Sequence, residues 1–167
     1  MQRSDFEIMA PAGSRETLAA ALQAGADSVY FGIGALNMRA HSAGGFTIDD
    51  LNEIAALCRE HGAKSYLTVN TVIYDGDLAA MREIVSAAKA AGVSAVIASD
   101  VAVMQCCREL GVEVHLSTQL NIANVEALRF YAQFADVVVL ARELTLRQVA
   151  DIRAAIDREG IKGPSGR

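Results

Sequence analysis

Ala24-Gly25-Ala26-Asp27-Ser28-Val29-Tyr30-Phe31-Gly32 carries the chain out of one apolar-periodic segment, through a glycine, and into a short run rich in β-branched and aromatic residues. Glycine suits the left-handed residue that ends a helix, and the run after it has the length and composition of a buried strand. The same junction recurs at His61-Gly62-Ala63, Ala91-Gly92-Val93 and Leu110-Gly111-Val112, while Phe134-Ala135-Asp136 keeps the layout without the glycine. Helix, tight turn, strand is therefore the repeating unit. With a strand at the amino terminus, the count is six βα units, two short of a closed eight-stranded barrel.

The spacing predicts strands over residues 6–10, 28–32, 64–69, 95–99, 113–119 and 136–141. Ser14 is placed to cap the first helix, with Glu16 in its first turn; Pro11 and Gly13 should shape the tight turn before it, so that a larger residue at Gly13 is expected to lower stability. The second helix should start at Thr47, with Phe46 and Leu51 spaced as a hydrophobic staple, and Thr145-x-x-Gln148 reads as a capping box for the last. Between the second strand and helix lies an unusually long connection, 33–46, and such loops are often functional.

An alternating βα train closes as a barrel or opens as a doubly wound sheet. The nucleotide signature of the latter is a GxGxxG turn entering a helix directly, and Gly32-Ile33-Gly34 supplies only two of those glycines before the long loop. The reading is thus α/β: a (βα) repeat forming an incomplete TIM-barrel-like domain over residues 1–167, expected to be the amino-terminal fragment of a longer protein. Strands one and six should keep unpaired edges, to be covered in a homo-oligomer, by a swapped strand, or by the missing carboxyl-terminal part of the parent.

At 52% hydrophobic and 21% charged over 167 residues, the chain can bury the core of one domain. A net charge of −5 makes it a poor polyanion binder by itself. There is no apolar stretch of membrane-spanning length and no leader with a cleavage site, so a cytoplasmic protein without membrane anchorage is expected. Cys58, Cys106 and Cys107 form no CxxC pair and fall on helical segments, which suits packing in a reducing compartment.

In either architecture the chemistry belongs at the carboxyl ends of the strands. Period-two alternation puts Val114 and Leu116 on one face of strand five and His115, Ser117 and Gln119 on the other; Leu67 and Val69 oppose Tyr66, Thr68 and Asn70 on strand three. Outer helices want apolar contact, so the polar sets should point inward and, with Tyr30, line one cavity suited to a polar ligand. Asp100 follows strand four as a helix cap or a site residue. Arg142 and Glu143 end strand six; if Arg142 is buried, an anionic ligand or a carboxylate should lie beside it. His115 reads as a hydrogen-bonded core histidine or a site residue, and His41 and His61 as solvent-facing. Ser117 and His115 do not make a nucleophile and base, because residues two apart on a strand stand about 7 Å apart. No three ligands come together for a metal, and no serine, cysteine or zinc protease constellation is recognisable.

Taken together, Met9-Ala10-Pro11-Ala12-Gly13-Ser14, the segment from Ala24 to Gly32, Asn70-Thr71, Ser117-Thr118-Gln119 and Leu140-Ala141-Arg142-Glu143-Leu144 resemble the collagenase-like peptidases of family U32, of unknown catalytic type. The resemblance covers nearly the whole chain and implies the barrel-like amino-terminal region of that family. It implies one of several activities for the full-length protein: peptide hydrolysis, or support for hydroxylation of a tRNA wobble uridine, a ribosomal RNA cytidine or the ubiquinone ring. A non-catalytic small-molecule binding barrel is the remaining alternative. The family's cysteine-containing signature would follow Gly163-Pro164-Ser165-Gly166-Arg167. In some members those cysteines hold an iron–sulfur cluster, so a cluster and RNA are implied partners of the full-length parent, and no cofactor is expected in this fragment, which should be inactive alone.

Overall fold

The fold is that of a computed structural model, which describes residues 2–38 and 45–167. Twelve elements alternate: β1 (Met9–Pro11), α1 (Arg15–Gln23), β2 (Ser28–Gly32), α2 (Leu51–Glu60), β3 (Lys64–Val69), α3 (Leu78–Ala91), β4 (Ala95–Ala98), α4 (Val101–Leu110), β5 (Val114–Leu116), α5 (Val125–Tyr131), β6 (Val137–Val138) and α6 (Leu146–Glu159). The strands form one parallel sheet in the order β1-β2-β3-β4-β5-β6, and among the described residues β6 does not pair with β1. The result is an open, curled barrel of six βα units.

The junctions behave as their glycines require. Gly25, Gly62, Gly92 and Gly111 all have positive φ, between 66° and 79°, where a Cβ would be strained. Ser14 and Thr145 cap their helices by accepting from Thr17 N and Gln148 N, and the Gln148 side chain returns the bond to Thr145. At the second helix, Thr47 opens a 3-10 turn, Ile48–Asp50, that leads into α2.

Alternation sorts the two faces of the sheet. Val29, Phe31, Leu67, Val69, Val96, Ala98, Val114 and Leu116 pack with the helices in the main core, each fully buried valine, leucine or phenylalanine contributing roughly 1.5–3 kcal/mol. Tyr66, Ala95 and Ile97, with Tyr30 against them, form a smaller cluster on the concave face.

Several strand limits differ from the sequence expectation. β1 begins at Met9 rather than residue 6, because Arg3–Asp5 form a 3-10 turn and Ile8 N donates to the Asp27 carboxylate (2.6 Å) instead of entering a ladder. β5 ends at Leu116, where the Ser117 hydroxyl turns to cap a 3-10 turn, Thr118–Leu120. β6 shrinks to Val137–Val138, an edge strand with a neighbour on one side only. A Cβ at Gly13 would meet open space, and its φ is not positive, so the expected crowding there is absent; the Gly13 N–H instead donates to Thr17 Oγ1 (2.9 Å) as part of the helix cap. His41 lies outside the described residues.

Candidate functional site

The inward polar residues do not share one cavity. They divide between the two mouths of the barrel, and Tyr30 and Ile97 pack in the small apolar cluster on the same face.

At the carboxyl ends of the strands, a carboxamide network joins β3 to β5. Met38 N donates to Asn70 Oδ1 (3.3 Å), Asn70 Nδ2 donates to Gln119 Oε1 (2.9 Å), and the buried Ser117 hydroxyl donates to the same Gln119 oxygen. A backbone N–H can only donate, so the first bond fixes the orientation of Asn70 and, through it, of Gln119. Gln119 Nε2 is left as a donor without a partner among the described residues, on an exposed side chain at the rim. Beside Asn70, Thr71 Oγ1 is buried with no partner among the described residues, a group that a ligand or water would satisfy. The arrangement suits an acceptor such as a carbonyl oxygen.

The loop after β2 is held by Asn37, a buried side chain whose Nδ2 donates to Ile33 O (3.0 Å) and Gly34 O (3.1 Å). A Cβ at Gly32 would fall inside the Asn37 carboxamide, so only glycine leaves room for this clasp. The sequence singled out neither Asn37 nor the Met38 amide; two glycines before a long loop were the available signal.

The other proposed rim residues take plainer roles. Asp100 accepts from Ala102 N (2.8 Å), capping α4, and from Ile73 N (3.2 Å), tying the β3 and β4 loops together. Thr68 donates to Phe31 O (3.0 Å). Arg142 and Glu143 are both exposed and make no ion pair among the described residues, so no buried guanidinium calls for an anion. The reason is the short β6: Arg142 falls in the turn before α6 instead of inside the barrel.

Tyr66 and His115 face the opposite, amino-terminal mouth. The Tyr66 hydroxyl donates to Glu7 Oε1 (2.6 Å), Lys64 Nζ pairs with Glu7 Oε2 (2.7 Å), and His115 Nε2 lies 3.1 Å from Glu113 Oε1. The Tyr66 and His115 rings pack with centroids 4.5 Å apart, and Arg167 reaches Glu113 at 2.7 Å. These groups line a cleft of about 470 Å³. Burial pushes His115 below the usual histidine value, against the opposing pull of Glu113. Burial also raises the Tyr66 hydroxyl, helped by Glu7. For Glu7, burial acts upward, but bonds from Lys64 and Tyr66 outweigh it and leave the carboxyl below its ordinary range. Lys64 and Glu113, missed as candidates, stand two residues before Tyr66 and His115, so the same parity reaches them.

The iron–sulfur cluster implied by the resemblance needs thiolates, and the cysteines present do not fit one. Cys58, Cys106 and Cys107 are buried in the helix-facing core. Burial pushes Cys58 up to about 11 and Cys107 up to about 12, and raises Cys106 as well. Among the described residues no three His, Cys, Asp or Glu side chains are grouped to hold a metal. No helix is long and apolar enough to cross a membrane.

Six parallel strands alternating with helices around a curled sheet form a TIM-barrel-like fold, and the backbone matches solved structures of that fold. It superposes on a deoxyribose phosphate aldolase from Aeropyrum pernix with a TM-score of 0.65, 13% identity, and coverage of 92% of this chain and 69% of that one. It matches a U32 peptidase structure at a TM-score of 0.71, with 14% identity and coverage of 89% and 64%. The model of peptidase family U32 matches residues 13–160, and the chain belongs to that family. Over 166 residues it is 65% identical to a protein named collagenase from Porphyromonas gingivalis, covering 99% of this chain and 40% of that protein. It is 33% identical over 156 residues to tRNA hydroxylation protein P1 of Bacillus subtilis, covering 92% and 37%. The chain thus spans about two fifths of the length of these curated relatives.

Proposed function

We propose that this chain is the barrel portion of a collagenase-like hydrolase of family U32 that acts in the cytoplasm, and that it positions a polypeptide at the rim formed by Asn70, Ser117 and Gln119. The observation that carries this reading is the 65% identity, across nearly the entire chain, to the Porphyromonas gingivalis protein named collagenase. The rim is compatible with it: the oriented Gln119 Nε2 donor suits a peptide carbonyl, and Ser117 and Asn70 hold that donor in place. In this reading the chain orients substrate and supplies no nucleophile of its own. Among the described residues His115 turns to Glu113 and His61 to Leu57 O, and neither activates a serine, threonine or cysteine. The open edges of β1 and β6 are the natural join with the rest of the enzyme, since the relatives are longer.

A second reading, support of RNA hydroxylation, is favoured by the similarity to the Bacillus subtilis tRNA hydroxylation protein. One experiment separates the two. The full-length protein and its Gln119→Ala variant are assayed for cleavage of denatured collagen, and tRNA from a strain lacking the gene is digested to nucleosides for mass analysis. Cleavage that falls at least tenfold in the variant, with unaltered nucleosides in the deletion strain, is expected. Missing hydroxylated nucleosides without any cleavage would replace the first reading by the second.

A further inference from the structure

The loops after β2, β3 and β4 leave four large apolar side chains in solvent: Met38 (65% exposed), Val72 (67%), Tyr74 (71%) and Val101 (51%). Hydrogen bonds bring their backbones together. Met38 N is bound to Asn70 Oδ1, two residues before Val72, and Ile73 N is bound to Asp100 Oδ2, which holds Val72 and Tyr74 beside Val101 at the start of α4. The four stand on adjoining segments of the mouth that carries Gln119, and we read them together as one apolar shelf. Elsewhere, Phe6, Ile8 and Met9 flank the open edge of β1, and Val137 and Val139 lie at the open edge of β6, where further strands would cover them. The shelf, by contrast, stands on the loops of the mouth and not on an edge of the sheet.

We propose that this shelf is a docking surface for an extended, uncharged polypeptide segment, whose side chains cover Tyr74, Val72, Met38 and Val101 while a backbone carbonyl accepts from Gln119 Nε2. The proposal rests on the hydrolase reading and names how that site selects its substrate. Charge decides the occupant. Among the described residues of the loops after β3, β4, β5 and β6, Asp75, Asp77, Asp100 and Glu143 stand against Arg142 alone. Phosphate backbones bind through lysine and arginine, so this rim repels a nucleic acid even where Tyr74 offers a ring for a base to stack on. A neutral peptide meets no such penalty, and an exposed tyrosine within an apolar patch offers it an anchoring contact.

The test measures binding by fluorescence anisotropy with the full-length protein and two labelled probes, an unfolded collagen-derived peptide and a tRNA anticodon-arm oligonucleotide. The Val72→Ser/Tyr74→Ser variant should raise the peptide Kd by roughly tenfold or more and leave the melting temperature unchanged, because both side chains are exposed. A separate Met38→Ser variant provides an independent reading should the double variant fail to fold. Oligonucleotide binding should be weak in every form. Peptide affinity that is unaltered in folded variants, or no peptide binding by the wild type, overturns the proposal. Loss of oligonucleotide binding in its place assigns the shelf to RNA and also overturns it. A peptide that binds through the shelf but is never cleaved keeps the surface and removes the hydrolase reading. Cleavage with shelf-independent affinity does the reverse.

Discussion

Asn70 Nδ2 lies 2.9 Å from Gln119 Oε1, joining the loops after the third and fifth strands across the end of the fourth. Gln119 Oε1 accepts from both Asn70 and Ser117, so the pair acts as one unit. Truncating either residue to alanine should weaken substrate binding or turnover by roughly tenfold, and the double variant should lose little more. A double-mutant cycle on stability should give a coupling of about 0.5–1.5 kcal/mol. Fully additive effects on kcat/KM would show that the two side chains work separately.

Gly32 faces a carboxamide that cannot move aside, since Asn37 is buried and bonded to Ile33 O and Gly34 O. Gly32→Ala is therefore expected to destabilise by about 1–3 kcal/mol, the cost of overpacking a filled site. Urea denaturation would read the loss as a lower midpoint at constant slope. Because the Asn37 clasp precedes Met38, the same variant should also loosen the Asn70 contact and weaken ligand binding. Gly13→Ala, where a Cβ meets nothing, should leave stability within about 0.5 kcal/mol of the wild type.

His115, only 7% exposed, is held below its ordinary value of 6.5, so the folded state binds fewer protons than the unfolded chain at mildly acidic pH. Stability then rises with pH through the window between the lowered value and 6.5, and is lost as pH falls through it. Glu113, Glu7, Lys64 and Tyr66 face the ring and are part of this balance. Glu7, held below 4.5, adds stability that is present above that value and lost only at lower pH. Melting temperatures measured from pH 7.5 down to 5.5 should fall, and His115→Gln should flatten that slope.

Cys58 and Cys107, with thiols pushed up to about 11 and about 12 by burial, should resist alkylation at pH 8 in the native protein. Iodoacetamide labelling followed by peptide mass mapping should find all three cysteines of this region unmodified until denaturant is added. Rapid native labelling of Cys107 would mean that the packing between α4 and the sheet opens readily.

Asp136, at the entry to β6, accepts from Ser165 N (3.0 Å) and the Ser165 hydroxyl (2.6 Å), pinning the segment after α6 against the sheet. Gly163 permits that approach, since a Cβ there would come within 2.6 Å of Ala135 O. Asp136→Ala should increase the hydrogen-exchange rate of the Ser165 amide by at least about tenfold while leaving the amides of β3 and β4 protected.

The repeating architecture was legible because its signals are local. A glycine that must take positive φ, a capping serine or threonine and a period of two each act over a few residues, and Gly25, Gly92, Ser14 and Thr145 all do what their surroundings demand. Parity also separated Leu67 and Val114 from Tyr66 and His115. Height along the strand was harder to read. Tyr66 and Asn70 share a face of the third strand, yet Tyr66 turns to Glu7 at one mouth and Asn70 to Gln119 at the other. Those partners lie 59 and 49 positions away in sequence, and only the register of the sheet brings them close. The length of β6 was likewise hidden, because how far an edge strand extends depends on what pairs with it.

Each strand after β1 is hydrogen-bonded to the strand just before it in the chain. A ribosome releasing the polypeptide from its amino terminus thus delivers every βα unit after the first to an edge that already exists, so assembly can proceed stepwise during synthesis and the loop to be closed at each step stays short. The open edge of β6 is, in this sense, the growing end of the sheet.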